Sequence, residues 1–166
     1  MKKVLNLNSP YRVFKDENTL TYFFTTKFNI TYRVYFTDAN EYFTNFNLTE
    51  NIFLFGFEYL QNNISNKLED INIRLTLIAI INRFFENKSN VLVFVADISD
   101  FRHKARNRLF NKWKQEFDVN DFIEKYDIEI ETEGETFFSS MLIRKDNIHK
   151  DEYKKAFLLI PESLSK

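Results

Sequence analysis

Apolar and polar positions alternate along much of this chain with a period of two, the signature of half-buried strands. Over residues 29–37, Ile30, Tyr32, Val34 and Phe36 share one face while Thr31, Arg33, Tyr35 and Thr37 share the other. The runs 11–17 (YRVFKDE) and 19–26 (TLTYFFTT) predict a hairpin before it, turning at Glu17-Asn18. In 52–60, Phe53, Phe55, Phe57 and Tyr59 fall on one face and Ile52, Leu54 and Leu60 on the other, so both faces are expected to be covered. Gly56 inside this strand predicts a bulge, or a close approach by another backbone or a ligand. The clearest pair comes late. In IEKYDIEIET, Tyr126, Ile128 and Ile130 alternate with Asp127, Glu129 and Glu131; Gly134 supplies a turn, and TFFSSMLIRK returns as the partner strand.

Elsewhere the period lengthens to that of a helix. Asp70 is placed to cap a helix from Ile71 to Phe85, apolar over most of its surface as for a helix pressed onto a sheet. NKSN ends it, and the strand 91–97 (VLVFVAD) follows. Ser99 or Asp100 caps a second helix from Phe101 to about Phe117, and a short helix near 149–159 is expected to stop at Pro161. The order β-β-β-β-α-β-α-β-β-α predicts an α+β fold, a mixed and mostly antiparallel sheet flanked by helices. At 166 residues it is expected to be a single domain, 1–166.

Composition narrows the chemistry. No cysteine occurs, which excludes disulfides, thiolate zinc sites and cysteine nucleophiles. Gly56 and Gly134 are the only glycines, too few for a dinucleotide fingerprint or a phosphate-binding loop. A net charge of −1 gives no global attraction to nucleic acid or anionic membrane. The start MKKVLNLNSP contains no signal-peptide core, and no run reaches the ~18 apolar residues of a membrane helix, so a cytoplasmic protein is expected. The abundance of Asn, Ile, Lys and Phe fits an AT-rich bacterial genome.

From the strand at 19–26 onward the element order resembles the GNAT family of N-acetyltransferases, with SDFRHKARNRLFNKW similar to that family's second helix and TFFSSMLIRK to its closing strands. The Phe-rich start and the DISDFR…RNRLFNKW block also resemble a family of small uncharacterised proteins from Bacteroidota. The first resemblance implies an acyl-CoA site. Asn62, Asn63, Ser65 and Lys67 would hold the pyrophosphate, while strands near Gly56 and Val93 would splay to admit the pantetheine arm. Two departures stand against it. The pyrophosphate region QNNISNKLED has no glycine, and Phe110 stands where a tyrosine often protonates the leaving thiolate.

The remaining candidates are charged. Arg102 and Arg106 fall within the apolar arc of Phe101, Ala105, Leu109, Trp113 and Phe117, and Arg74 lies within that of the first helix. With Asp97 and Asp100 they form either a pocket for an anionic ligand or an internal ion-pair network, and the network is favoured. Asp97, Asp100 and His103 read as a strand end, a cap and a solvated side chain, so no metal is expected. Ser139 and Ser140 have no base that sequence can identify. Strands 22–59 contain few lysines or arginines to support base stacking, so core packing is favoured for their aromatics.

These features predict a non-catalytic binding or interaction protein on a GNAT-like scaffold, without a cofactor, its partner a protein or a small anionic ligand. The alternative is a divergent acyl-CoA-dependent N-acyltransferase using acetyl-CoA. Nucleic acid is disfavoured; its only route is through Arg102, Arg106, Arg108, Lys112 and Lys114.

Overall fold

The computed structural model describes residues 1–41, 43, 48, 50–60, 70–96, 121–132 and 135–164. Its strands are β1 (Lys2–Leu5), β2 (Val13–Asp16), β3 (Thr21–Thr25), β4 (Thr31–Asp38), β5 (Ile52–Tyr59), β6 (Val91–Ala96), β7 (Ile123–Thr132) and β8 (Glu135–Arg144). Two helices accompany them, α1 (Ile71–Phe84) and α2 (Lys150–Leu164). The strands make one open mixed sheet in the order β1-β2-β3-β4-β5-β6-β8-β7. Its β5–β6 pair is parallel, while β1–β2, β2–β3, β3–β4, β6–β8 and β7–β8 are antiparallel. The α+β class and element order read from the sequence hold, with β1 in front of them. The helix expected over 101–117 lies outside the described residues.

The chain divides into two compact units, residues 1–37 with 55–86 and residues 38–54 with 87–166. In the first, α1 lies on a face built from every second residue of the strands. Asp70 caps the helix by accepting from the Asn72 N–H at 2.9 Å. Phe84 stacks on Phe36 with ring centroids 4.2 Å apart, and Phe36 in turn meets Tyr22 and Phe55. The buried Thr76 hydroxyl donates to the Asn72 carbonyl and accepts from the Tyr11 N–H, tying the approach to β2 onto the helix. Such rings contribute their buried area and also the quadrupole preference for stacked and edge contacts.

Two expectations for 52–60 change. Both faces are not covered along the whole strand: Phe57 and Tyr59 are 40% and 45% exposed. The close approach at Gly56 is real, but the approaching group is the ring of Tyr35. A Cβ built on Gly56 would lie 2.6 Å from the Tyr35 hydroxyl oxygen and nearer still to ring carbons.

In the second unit β7 and β8 pair along their whole length, from Ile123↔Arg144 to Thr132↔Glu135, which fixes a two-residue connection. The side chains α2 turns to these strands follow helical spacing: Tyr153, Ala156, Phe157 and Ile160. They pack with Val91, Val93, Ile128, Met141 and Ile143, and with Ala39, Phe43 and Leu48 from the segment before β5. The Tyr153 hydroxyl donates to the Glu50 carbonyl at 2.9 Å.

The helix does not stop at Pro161 but carries it inside, ending at Leu164. Proline there removes the N–H that would reach back four residues and crowds the carbonyl it would have met, but it does so within the last turn. The burial of Phe157 and the packing of Ile160 hold the preceding turn against that loss. No helix among the described residues is long and apolar enough to cross a membrane.

Candidate functional site

The second unit contains a cavity of about 110 Å³ lined by Ala39, Phe43, Leu54, Val93, Val95, Ile128, Ile130, Ser139, Phe157 and Ile160. Its position follows from the period-two pattern. Cross-strand pairing sets Leu54 beside Val93, Val95 beside Ser139 and Ile128 beside Ser139, so these side chains share the face that α2 covers. Ala39 and Ser139 are short where their neighbours are long, and the space is what larger residues there would fill.

The lining is apolar except for one hydroxyl. Ser139 donates it to the Phe94 carbonyl at 3.2 Å, so even this group is already satisfied. Among the lining residues none titrates, and none can transfer a proton to a guest. Val95 is 53% exposed, which marks the side on which the cavity meets solvent. The parallel ladder of β5 and β6 registers Ile52–Leu54 with Val91–Val93, so it ends on two residues of the cavity wall.

Ionisable groups gather on either side of this space. On the opposite face of β7, Ser140 donates its hydroxyl to Asp127, which also takes an ion pair from Lys125. Lys125 is buried to 9% side-chain exposure, with its ammonium 6.0 Å above the Phe94 ring. Ser140 is 2% exposed, so this arrangement orders β7 against β8 and offers no nucleophile to solvent. Sequence reading found no base for Ser140. The register carries the missing signal, because a two-residue connection after Thr132 sets Asp127 opposite Ser140.

A second cluster joins β7 to α2. The Tyr126 hydroxyl donates to Glu124, Lys150 reaches the same carboxylate at 3.2 Å, and Lys154 sits 4.9 Å above the Tyr126 ring. The hydrogen bond from Tyr126 and the charge of Lys150 hold the Glu124 carboxyl below its usual range, against some desolvation. Burial first, and then the bond to Glu124, push the Tyr126 phenol up to about 12. Folding therefore favours the neutral phenol. Its contribution is full below pH 10.0 and is lost as pH rises through about 12. Tyr126→Phe should remove the last tyrosinate step in a 295 nm titration, and its stability deficit against the parent should shrink from pH 9 to pH 11. A deficit independent of pH across that window would disprove the linkage.

Of the residues singled out from sequence, Arg74 lies half-buried on α1. Asp97, Asp100, Arg102, His103, Arg106 and Phe110 lie outside the described residues, as do Asn62, Asn63, Ser65, Lys67 and Gly134. His149 is exposed and lies 3.3 Å from Glu152. Among the described residues no three His, Asp or Glu side chains gather as metal ligands would. Sequence reading did not foresee the cavity. Its walls come from separate segments, each of which alone looks like ordinary core.

No curated protein matches the chain. A family match spans residues 69–158, more than half of the sequence, and takes in α1, β6, β7, β8 and most of α2. Six of the cavity-lining residues, Val93, Val95, Ile128, Ile130, Ser139 and Phe157, fall within it. On that match, the chain belongs to the Family of unknown function (DUF6169).

Proposed function

We propose that this is a non-catalytic binding protein whose cavity takes a small apolar group, a short acyl chain or a ring. The observation that carries this reading is the lining: nine apolar side chains and one hydroxyl already committed to a backbone carbonyl. Water gains nothing in such a space, having too few polar partners. Apolar cavities of about 150 Å³ stay dry and admit benzene. Acid–base chemistry would need an ionisable group at the guest, and the described lining has none.

A second reading, a divergent acyl-CoA-dependent N-acyltransferase, draws on one observation. The β5–β6 ladder ends at Leu54 and Val93, both in the cavity wall, which is where the GNAT resemblance would bring the thioester arm. Asn62, Asn63, Ser65 and Lys67 would then carry the pyrophosphate.

Titration followed by methyl NMR and by thermal shift separates the two. Benzene should perturb Val93, Val95 and Ile128 saturably, and Ala39→Leu, which extends a side chain into the same space, should abolish the effect. Acetyl-CoA at 100 times its dissociation constant should add about 2.7 kcal/mol only on the second reading, and Lys67→Ala should weaken that gain. If neither probe binds, both readings fail.

A further inference from the structure

We propose that the face of β1–β5 turned away from α1 binds single-stranded nucleic acid, stacking two or three bases on Phe14, Phe23 and Tyr35. Strand register builds this face. Val4 pairs with Phe14, Phe14 with Phe23 and Phe23 with Arg33, so one row of side chains crosses four strands. Tyr35 stands two residues beyond Arg33 on β4, over Gly56. The alternate residues Phe24 and Phe36 point to the other face, where Phe84 of α1 stacks on Phe36. Phe14, Phe23 and Tyr35 are only half-buried although all three are large and aromatic.

Each ring carries a cation. Lys2 sits 3.7 Å above Phe23, Arg12 lies 5.5 Å from the centre of Phe14, and Arg33 lies 5.4 Å from that of Tyr35. Arg33 shares its charge with Glu58 in an ion pair, while Lys2 and Arg12 are exposed. A net charge of −1 hides this local excess. On this face Lys2, Arg12 and Arg33 stand beside Asp16 and Glu58, and the first unit as a whole (residues 1–37 and 55–86) holds nine cations against six acids. The remaining residues are correspondingly acidic.

Rings presented on a sheet face beside exposed cations are the two elements of a single-strand site. The π-faces stack bases without regard to sequence, and the cations shift from ring to phosphate. Sequence reading set stacking aside because strands 22–59 contain few cations. Lys2 and Arg12 lie outside that span and reach the face only through the β1–β2–β3 register. A duplex keeps its bases stacked inward and has none to offer these rings.

Fluorescence anisotropy with labelled (dT)12 tests this on the full chain. Binding should be strong at 50 mM NaCl and about 20-fold weaker at 200 mM, the slope of three phosphate contacts on a single strand. Phe23→Ala should weaken it roughly 5- to 150-fold, the range for one lost stacking partner. Lys2→Glu combined with Arg12→Glu changes only exposed side chains, so it should abolish binding while leaving the circular-dichroism melt unchanged. The proposal is overturned by absence of binding at 50 mM salt or by equal affinity for a 12-base-pair duplex. Equal affinity for poly-glutamate would overturn it in favour of an acidic protein partner. Full binding by the double charge reversal would likewise overturn it.

Discussion

Phe157→Ala is expected to cost about 3–5 kcal/mol, the range for truncating a fully buried phenylalanine. For a chain of this size that corresponds to a fall in melting temperature of roughly 6–20 °C. Phe157 is 0% exposed and packs among Val93, Ile128, Met141, Ile143 and Tyr153. It also forms a wall of the existing cavity, so its removal merges new space with old. Walls already spanning a void cannot collapse further, which puts this site toward the costly end of the range. Leu158, next on the same helix and 44% exposed, supplies the control: Leu158→Ala should change stability by only about 0.5 kcal/mol. Urea unfolding measures both. A loss below about 1 kcal/mol for Phe157→Ala would show that α2 does not close this core. The variant also bears on function, because benzene should stabilise it more than it stabilises the parent.

The parts of this fold that were legible are those in which a local pattern and a local turn agree. β7 alternates cleanly and meets β8 through two residues, so both strands and their pairing follow from the sequence. α1 announces itself by Asp70 and by apolar residues on most of its surface. β1 was not legible. KKVL is four residues with three exposed side chains, and only its pairing with β2 makes it a strand. The extension of α2 through Pro161 was missed for a similar reason, since propensity argues for a stop while packing of Phe157 and Ile160 holds the helix.

Sites were harder to see than elements. The cavity depends on where side chains fall short, and nothing marks Ala39 or Ser139 in one dimension. The cations over Phe14 and Phe23 come from β1 and from the residue before β2, so counting charge strand by strand overlooks them. The Ser140–Asp127 contact was within reach, because the two-residue turn that predicts the hairpin also fixes which residues face each other. Charge within the apolar arc expected over 101–117 was the strongest sequence signal, and of the cluster proposed with it only Arg74 belongs to the described residues.

Gly56→Ala should destabilise the parent by about 1–2 kcal/mol, as inserting a methyl group into occupied space does. The added Cβ would collide with the Tyr35 ring, which lies across the glycine from the neighbouring strand. An aromatic covering a strand glycine restores the packing that the missing side chain leaves undone. Displacing the ring forfeits that cover and the contact between Tyr35 and Arg33. Against this stands the backbone term, since glycine in a strand is less favourable than alanine by about 0.5–1 kcal/mol. The two terms have opposite signs and the ring decides which prevails. In a Tyr35→Ala background the collision is gone, so the same substitution should stabilise by about 0.5–1 kcal/mol. A double-mutant cycle by urea unfolding reads the coupling directly. Equal effects of Gly56→Ala in both backgrounds would show that Tyr35 does not rest on Gly56. A change of sign between them would confirm that this glycine makes room for the protein's own ring rather than for a ligand.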